Sequence, residues 1–574
     1  MSRRSVVKLL AGAGAAACLP KVLAQTAPAA TASAPAGAGG RGRGAAPADP
    51  AGSVIPPAPE YIAAPPDFGV AEGPFKPTWD SLSNYSHPAW YRDAKLGLWA
   101  HWGPQCQPEM GDWYAQKMYQ FSSAPNSVYQ FHCRKYGHPS KFGWKDVLNE
   151  WKAEKWDPAH LLNLYKKAGA KFFSAMANHH DNMDMWDSKY QPWNTVNVGP
   201  RKSIIAGWEK AAREAGLRFG LSCHGDRAWD WLQVARDADP SGDLAGVPYD
   251  GFVTKADGKG KWWEGLDPQH LYAQYHQRGR YQWSLSGTPA LDPKYVEKFF
   301  NRVIDLIDKH KPDLLYFDDT VLPIYPASDI GLRIAAYLYN TNLARLGRLE
   351  AVMTGKGLNA QQRRAITLDV ERGVTNGGET LPWQTDTCIG SWHYERAVFD
   401  NHRYKTAKQV VQMLIDIVAK NGTLMLSIPL KGDGTLDADE LKVLDGLASW
   451  IAPNGEGIYA TRPWAVYGEG PSTSNQARGQ FGGARDVGTY TAEDFRFTKK
   501  GDVVYAFLMA WPAGGKASIK SLAAGSPNFP QEIARVELLG AGQVNVERTS
   551  SALVVALPDQ KPNDFAVCLK ITPK

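Results

Sequence analysis

Cysteine is scarce in this chain, with six residues in 574 and no pair at C-x-x-C spacing. The absence of that spacing argues against a cysteine-based zinc site. With Cys18 in an N-terminal leader, the odd set Cys106, Cys133, Cys223, Cys388 and Cys568 reads as buried free thiols, not a disulfide framework. Runs of Lys and Arg are also missing. The net charge is +6, yet residues 1–60 hold six Lys/Arg against two Asp/Glu, so residues 61–574 carry only +2. A nearly neutral body excludes the electrostatic footprint of a nucleic-acid or acidic-membrane partner. The apolar stretch at residues 9–19 is too short to span a bilayer, so no membrane insertion of the mature chain is expected. No Gly-rich phosphate loop follows the first strand-like run, which argues against a doubly wound nucleotide fold. No repeat of solenoid period is present.

What the chain does have is 44% hydrophobic residues and a heavy aromatic load of 21 Trp, 24 Tyr and 19 Phe. These suit a large core, and aromatic faces also suit sugar rings. The segment Ser2-Arg3-Arg4-Ser5-Val6-Val7-Lys8 resembles a twin-arginine export signature, and Val22-Leu23-Ala24 fits a cleavage site. Residues 1–24 are therefore expected to be a leader that carries a folded protein to the periplasm or beyond. Residues 25–60, mostly Ala, Pro and Gly, are expected to form a disordered tether.

Apolar runs then alternate with helical patterns. Residues 95–102, 170–178, 217–224, 313–319 and 422–429 read as buried strands, and 161–168, 204–215, 295–310 and 409–420 as helices. Parallel strands with crossover helices follow from that order. His101, His179, His180, Asp181, His224, Asp318 and Asp319 fall at strand ends, as expected for a (β/α)8 barrel of the TIM type over residues 61–465. From residue 466 to 574, short strands at 502–509, 533–539 and 552–557 without long helices predict an antiparallel β-sandwich.

Asp318 ends an apolar strand, so a rigid element would present its carboxylate at the barrel mouth, a placement that suits a nucleophile. At this point the chain resembles the α-L-fucosidases of glycoside hydrolase family 29. The motifs are His101-Trp102-Gly103, Asp112-Trp113-Tyr114, His179-His180-Asp181, Trp193-Asn194 and Pro312-Asp313-Leu314-Leu315-Tyr316-Phe317-Asp318. Asn421-Gly422-Thr423-Leu424-Met425-Leu426-Ser427-Ile428-Pro429, Gly432-Asp433-Gly434 and Asn454-Gly455-Glu456-Gly457-Ile458-Tyr459 follow in the same order.

The resemblance implies a retaining glycosidase acting on a fucosylated glycan, with Asp318 as nucleophile and no cofactor or metal. His101, His179 and His180 match the family's sugar-binding positions, with His224 a further candidate; neutral imidazole both donates and accepts hydrogen bonds. If His179 and His180 both reach one sugar, the strand must bend there. Trp113 is expected against the sugar's apolar face and Tyr316 near its methyl group. The acid/base is Glu371, favoured because it follows the strand-like run 365–368, or Glu379. Asp112 stands where Glu is common, Tyr316 where Trp is common, and Asp319 where Gly is frequent. So placed, Asp319 must point away from Asp318 or meet a cation. The alternatives are a sugar-binding protein without turnover and a related glycosidase for another L-sugar.

Overall fold

The computed structural model describes residues 50, 52–276, 291–474, 479 and 484–574. The expected leader and most of the expected tether lie outside the described residues. Residues 52–60, also placed in that tether, have no regular structure but bury Pro56 and Pro59.

Eight parallel strands close into a barrel: β1 (Leu96–Ala100), β2 (Phe172–Asn178), β3 (Arg218–Cys223), β4 (Leu314–Phe317), β5 (Val352–Lys356), β6 (Thr367–Asp369), β7 (Trp383–Cys388) and β8 (Gly422–Ser427), with β8 returning to β1. Outside them run α1 (Pro158–Lys167), α2 (Ile204–Glu214), α3 (Pro293–His310), α4 (Ile330–Leu346), the single turn α5 (Gln362–Ala365), α6 (Ala407–Ala419) and α7 (Ala438–Asn454). Four of the crossovers start on a local signal. Asp157 and Asp292 cap α1 and α3 ahead of a proline, Ser203 caps α2, and Thr406 with Gln409 forms a capping box on α6.

Side chains alternate across each strand, and the two faces build different layers. Leu96, Leu98, Phe173, Ala175, Phe219, Leu221, Leu315, Phe317, Leu424 and Leu426 point outwards and join the helices in the main core. Trp99, Phe172, Leu314, Tyr316, Val352 and Met425 pack inside, with Tyr91 from the Ala89–Ala94 helix. A Cβ on Gly97 would stand 2.2 Å from the Phe172 ring, so glycine there makes room for that ring within the barrel.

Strands β5 and β7 are absent from the sequence expectations. Gln384, Thr385, Asp386 and Thr387 of β7 are all buried, so this strand shows neither an apolar run nor hydrophobic alternation. Likewise, β6 begins at Thr367, with α5 occupying the start of the strand-like run placed at 365–368.

The C-terminal region contains a six-stranded sheet, led by Arg462–Glu469, and a three-stranded sheet formed by Lys516–Ile519, Val546–Arg548 and Leu553–Ala556. Phe497, Val504 and Leu569 of one sheet share a core with Ile519, Leu553 and Val555 of the other, which makes an antiparallel sandwich. Its first strand begins at Arg462, slightly before the position where the sequence pattern changes. Cys106, Cys223, Cys388 and Cys568 are buried free thiols, whereas Cys133 is half-buried. Among the described residues, no helix is long and apolar enough to cross a membrane.

One buried ion group joins barrel and sandwich. Arg496, on a sandwich strand, donates to Asp416 of α6 at 2.5 Å, and Lys420 donates to the other oxygen at 2.7 Å. Asp416→Ala leaves two buried cations without their shared anion. Urea unfolding should show a loss of about 3–5 kcal/mol; a change within 0.5 kcal/mol, about the scatter of neutral surface substitutions, would contradict this role.

Candidate active site

The inward columns of the barrel end in polar groups at the C-terminal rim. Trp99 leads to His101, Ser222 to His224, Tyr316 to Asp318, Thr354 to Lys356, and Asp369 to Glu371, each at a spacing of two. Strand β2 stops at Asn178, and the chain turns through a bond from Asn182 N–H to the His179 carbonyl. The bend needed to bring consecutive histidines together is therefore present, with the His179 and His180 rings 4.4 Å apart at their centroids.

Asp318 is the most connected carboxylate at this rim. Its Oδ1 accepts from Lys356 Nζ at 2.7 Å and faces the Tyr316 hydroxyl at 3.4 Å. Its Oδ2 lies 3.3 Å from His224 Nδ1 and 3.6 Å from His180 Nε2. Burial opposes ionisation, but Lys356 and the two imidazoles hold the carboxyl well below the usual carboxylate range.

Lys356 also donates to Glu371 Oε2 at 2.5 Å. Because the two contacts share one nitrogen, the oxygens involved can be no farther apart than the sum of 2.7 and 2.5 Å. Burial raises the Glu371 carboxyl to about 7; Lys356 works against that rise, and Asp318 and Asp386 add to it. One cation thus joins two carboxyl groups whose surroundings drive their acidities apart.

The imidazoles form the wall beside them. His101 is buried against Trp99, His179, His224, Trp392 and His393, and neither ring nitrogen has a hydrogen-bond partner among the described residues. Gln105 Nε2 meets His179 Nδ1 at 2.9 Å, and His180 Nδ1 lies 2.7 Å from the His224 carbonyl. Burial holds His101 and His179 well below the usual imidazole range and His224 at about 4, so these three rings are neutral near pH 7. Asp112 accepts from the His393 N–H at 2.7 Å, while Trp113 is half-buried against a second apolar cluster containing Tyr114, Trp144, Trp193 and Trp231.

The structure separates the two acid candidates. Glu379 pairs with Arg363 at 2.7 Å, and its backbone bonds to Lys420 and Asn421, just ahead of β8. It therefore sits at the N-terminal end of the barrel, the end opposite Asp318. Asp319 meets a cation: Arg227 donates to it, and the backbone N–H groups of Thr320 and Ile324 bond to its oxygens.

Sequence reasoning missed Lys356, Asp386 and His393. The first two stand on β5 and β7, and period-two counting from Val352 would have reached Lys356. Asp386 Oδ2 accepts from Tyr316 at 2.9 Å. His393 is a lone histidine after Trp392, and no local pattern marks it. Two triads of described residues could hold a metal ion, His101 with His179 and His224, and His180 with His224 and Asp318; each brings its ligand atoms within 4.8 Å of one another. Such donors would suit zinc.

The family model for α-L-fucosidase matches residues 65–456, and that for the α-L-fucosidase C-terminal domain matches 489–572. This chain belongs to the α-L-fucosidase family of glycoside hydrolases. It is 25% identical to the plasma α-L-fucosidase of Homo sapiens over 518 residues, covering 87% of this chain and 92% of that protein. The α-fucosidase of Thermotoga maritima in complex with fucose shares its fold at TM-score 0.61 and 23% identity, over 87% of this chain and all of that one. A trapped covalent intermediate of a GH29 α-L-fucosidase from Bacteroides thetaiotaomicron superposes at TM-score 0.56 and 15% identity, covering 85% of this chain and 97% of that one.

The raised pKa of Glu371 has a consequence for stability. A carboxyl near 4.5 when unfolded and about 7 when folded binds its proton more tightly in the native state. Its contribution is present below about pH 4.5 and is lost as pH rises through 7. Urea melts at pH 5 and pH 8 should show Glu371→Gln losing less stability over that interval than wild type; parallel losses would contradict the burial of this group.

Proposed function

We propose that this protein is a retaining, exo-acting α-L-fucosidase that removes terminal α-L-fucosyl residues from oligosaccharides or glycoconjugates. The observation that carries the reading is the carboxyl pair bridged by Lys356. The two oxygens that Lys356 bridges are no more than about 5.2 Å apart, which agrees with the roughly 5–5.5 Å of retaining enzymes and is short of the roughly 6.5–9.5 Å that leaves room for a directly attacking water.

Asp318 remains ionised and attacks C1 of the fucosyl unit, forming a glycosyl-enzyme. Glu371, protonated near neutral pH, gives its proton to the departing oxygen. It then removes a proton from the water that releases fucose. The neutral imidazoles of His101, His179 and His224 donate to and accept from sugar hydroxyls, and His180 faces Asp318 beside them. Trp113 lines the approach next to Asp112. The family membership and the trapped intermediate of the Bacteroides relative support this sequence of events. The twin-arginine pattern at Arg3-Arg4 supports a site of action in the periplasm or outside the cell.

With 4-nitrophenyl α-L-fucoside, Asp318→Ala should lower kcat/KM about a thousandfold or more. On methyl α-L-fucoside, whose departing group needs a proton, the wild-type kcat/KM should decline above about pH 7, as Glu371 loses its proton, and extend far into acid because Asp318 stays ionised. Azide should restore turnover to Glu371→Ala, while Glu379→Ala should stay close to wild type. Rescue of Glu379→Ala alone, or an active Asp318→Ala, would refute the assignment.

A further inference from the structure

The β6–β7 connection carries Glu371 but no helix. Its backbone is held from two sides instead. On one side, the N–H groups of Val370 and Arg372 donate to the Gln384 and Asp386 carbonyls of β7, both at 2.9 Å. On the other, Gly373 and Val374 pair antiparallel with Arg485 and Ala484. The latter two residues belong to the connection between the first two strands of the sandwich sheet, Arg462–Glu469 and Phe495–Lys500.

The next residue, Asp486, anchors that pairing to the barrel. Its Oδ2 accepts from Thr387 Oγ1 at 2.8 Å and lies 3.1 Å from Lys405 Nζ, which donates to the Cys388 carbonyl at 2.8 Å. Arg372, beside Glu371, reaches Cys388 Sγ at 3.0 Å and stacks over Trp392. The end of β7, the acid-bearing connection and the sandwich segment thus form one network.

We propose that Asp486 is a positioning residue for Glu371, by which the C-terminal sandwich aligns the acid/base of the barrel. The inference rests on the reading of Glu371 as that acid. Without Asp486, the Ala484–Arg485 strand loses its tie to β7, and Glu371 keeps its proton but not its aim at the departing oxygen. Such a fault costs little when the leaving group departs without help and much when it needs a proton.

The test compares kcat/KM, which reports the first chemical step, on 4-nitrophenyl and methyl α-L-fucosides, using full-length Asp486→Ala, Asp486→Asn and Glu371→Ala. For Asp486→Ala, a loss of about tenfold on the methyl fucoside and under about twofold on the nitrophenyl fucoside is expected, a partial misalignment within the range assigned to general-acid catalysis. Asp486→Asn, which still accepts from Thr387, should fall between it and wild type. Equal losses on both substrates, or none, for Asp486→Ala while Glu371→Ala discriminates strongly would overturn the positioning role alone. If Glu371→Ala does not discriminate either, the acid assignment fails and this inference falls with it. Should Asp486→Ala fold poorly, the same comparison on Asp486→Asn decides, with no discrimination counting against the proposal.

Discussion

The Lys356 ammonium, held between Asp318 and Glu371, is the interaction on which the rest of the site depends. Two carboxylates this close, with little water, could not both stay charged without it. Burial works against the Lys356 charge, but the two carboxyl groups keep it protonated. Asp318, with the ammonium and two imidazoles, is pulled towards ionisation, while Glu371 stays closer to neutral under burial and the neighbouring anions. In the proposed function this supplies an ionised nucleophile beside a protonated acid, the division of labour that glycoside cleavage requires.

This arrangement follows from barrel geometry. Side chains two residues apart climb the inner wall, apolar near the floor and polar at the rim. Leu314, Tyr316 and Asp318 form one such column, and Val352, Thr354 and Lys356 the next. Asp318 and Lys356, at the ends of their strands, are oriented by the sheet beneath them, whereas Glu371 sits on the β6–β7 connection. Histidines add a wall that is desolvated and neutral, able to match hydroxyls without bringing extra charge near Asp318.

The strands with outward-facing leucine and phenylalanine were legible in the sequence, because burial on both faces leaves continuous apolar runs. Strands β1 to β4 and β8 are of this kind, and the rim residues His101, His224 and Asp318 come with them. The other side of the barrel was not legible for the same physical reason reversed. Its inner face carries Asp369, Gln384 and Asp386, whose hydrogen bonds make buried polar groups tolerable but erase the hydrophobic signal. Lys356 and Asp386 were lost with those strands. The strand-like run before Glu371 favoured it over Glu379, and the closing of the barrel puts the two at opposite ends. His393 comes from a loop whose path is set by contacts with His101 and His179, and Asp486 comes from another domain. Neither is visible to local pattern.

The central claim is that the Asp318 carboxylate bonds to the anomeric carbon. Incubation with 2-deoxy-2-fluoro-α-L-fucosyl fluoride, followed by proteolysis and tandem mass spectrometry, tests it directly. A single fluorofucosyl adduct on Asp318 is the predicted result. An adduct on another carboxylate, such as Glu371 or Asp319, would contradict the account, as would an unlabelled enzyme that still turns the fluoride over.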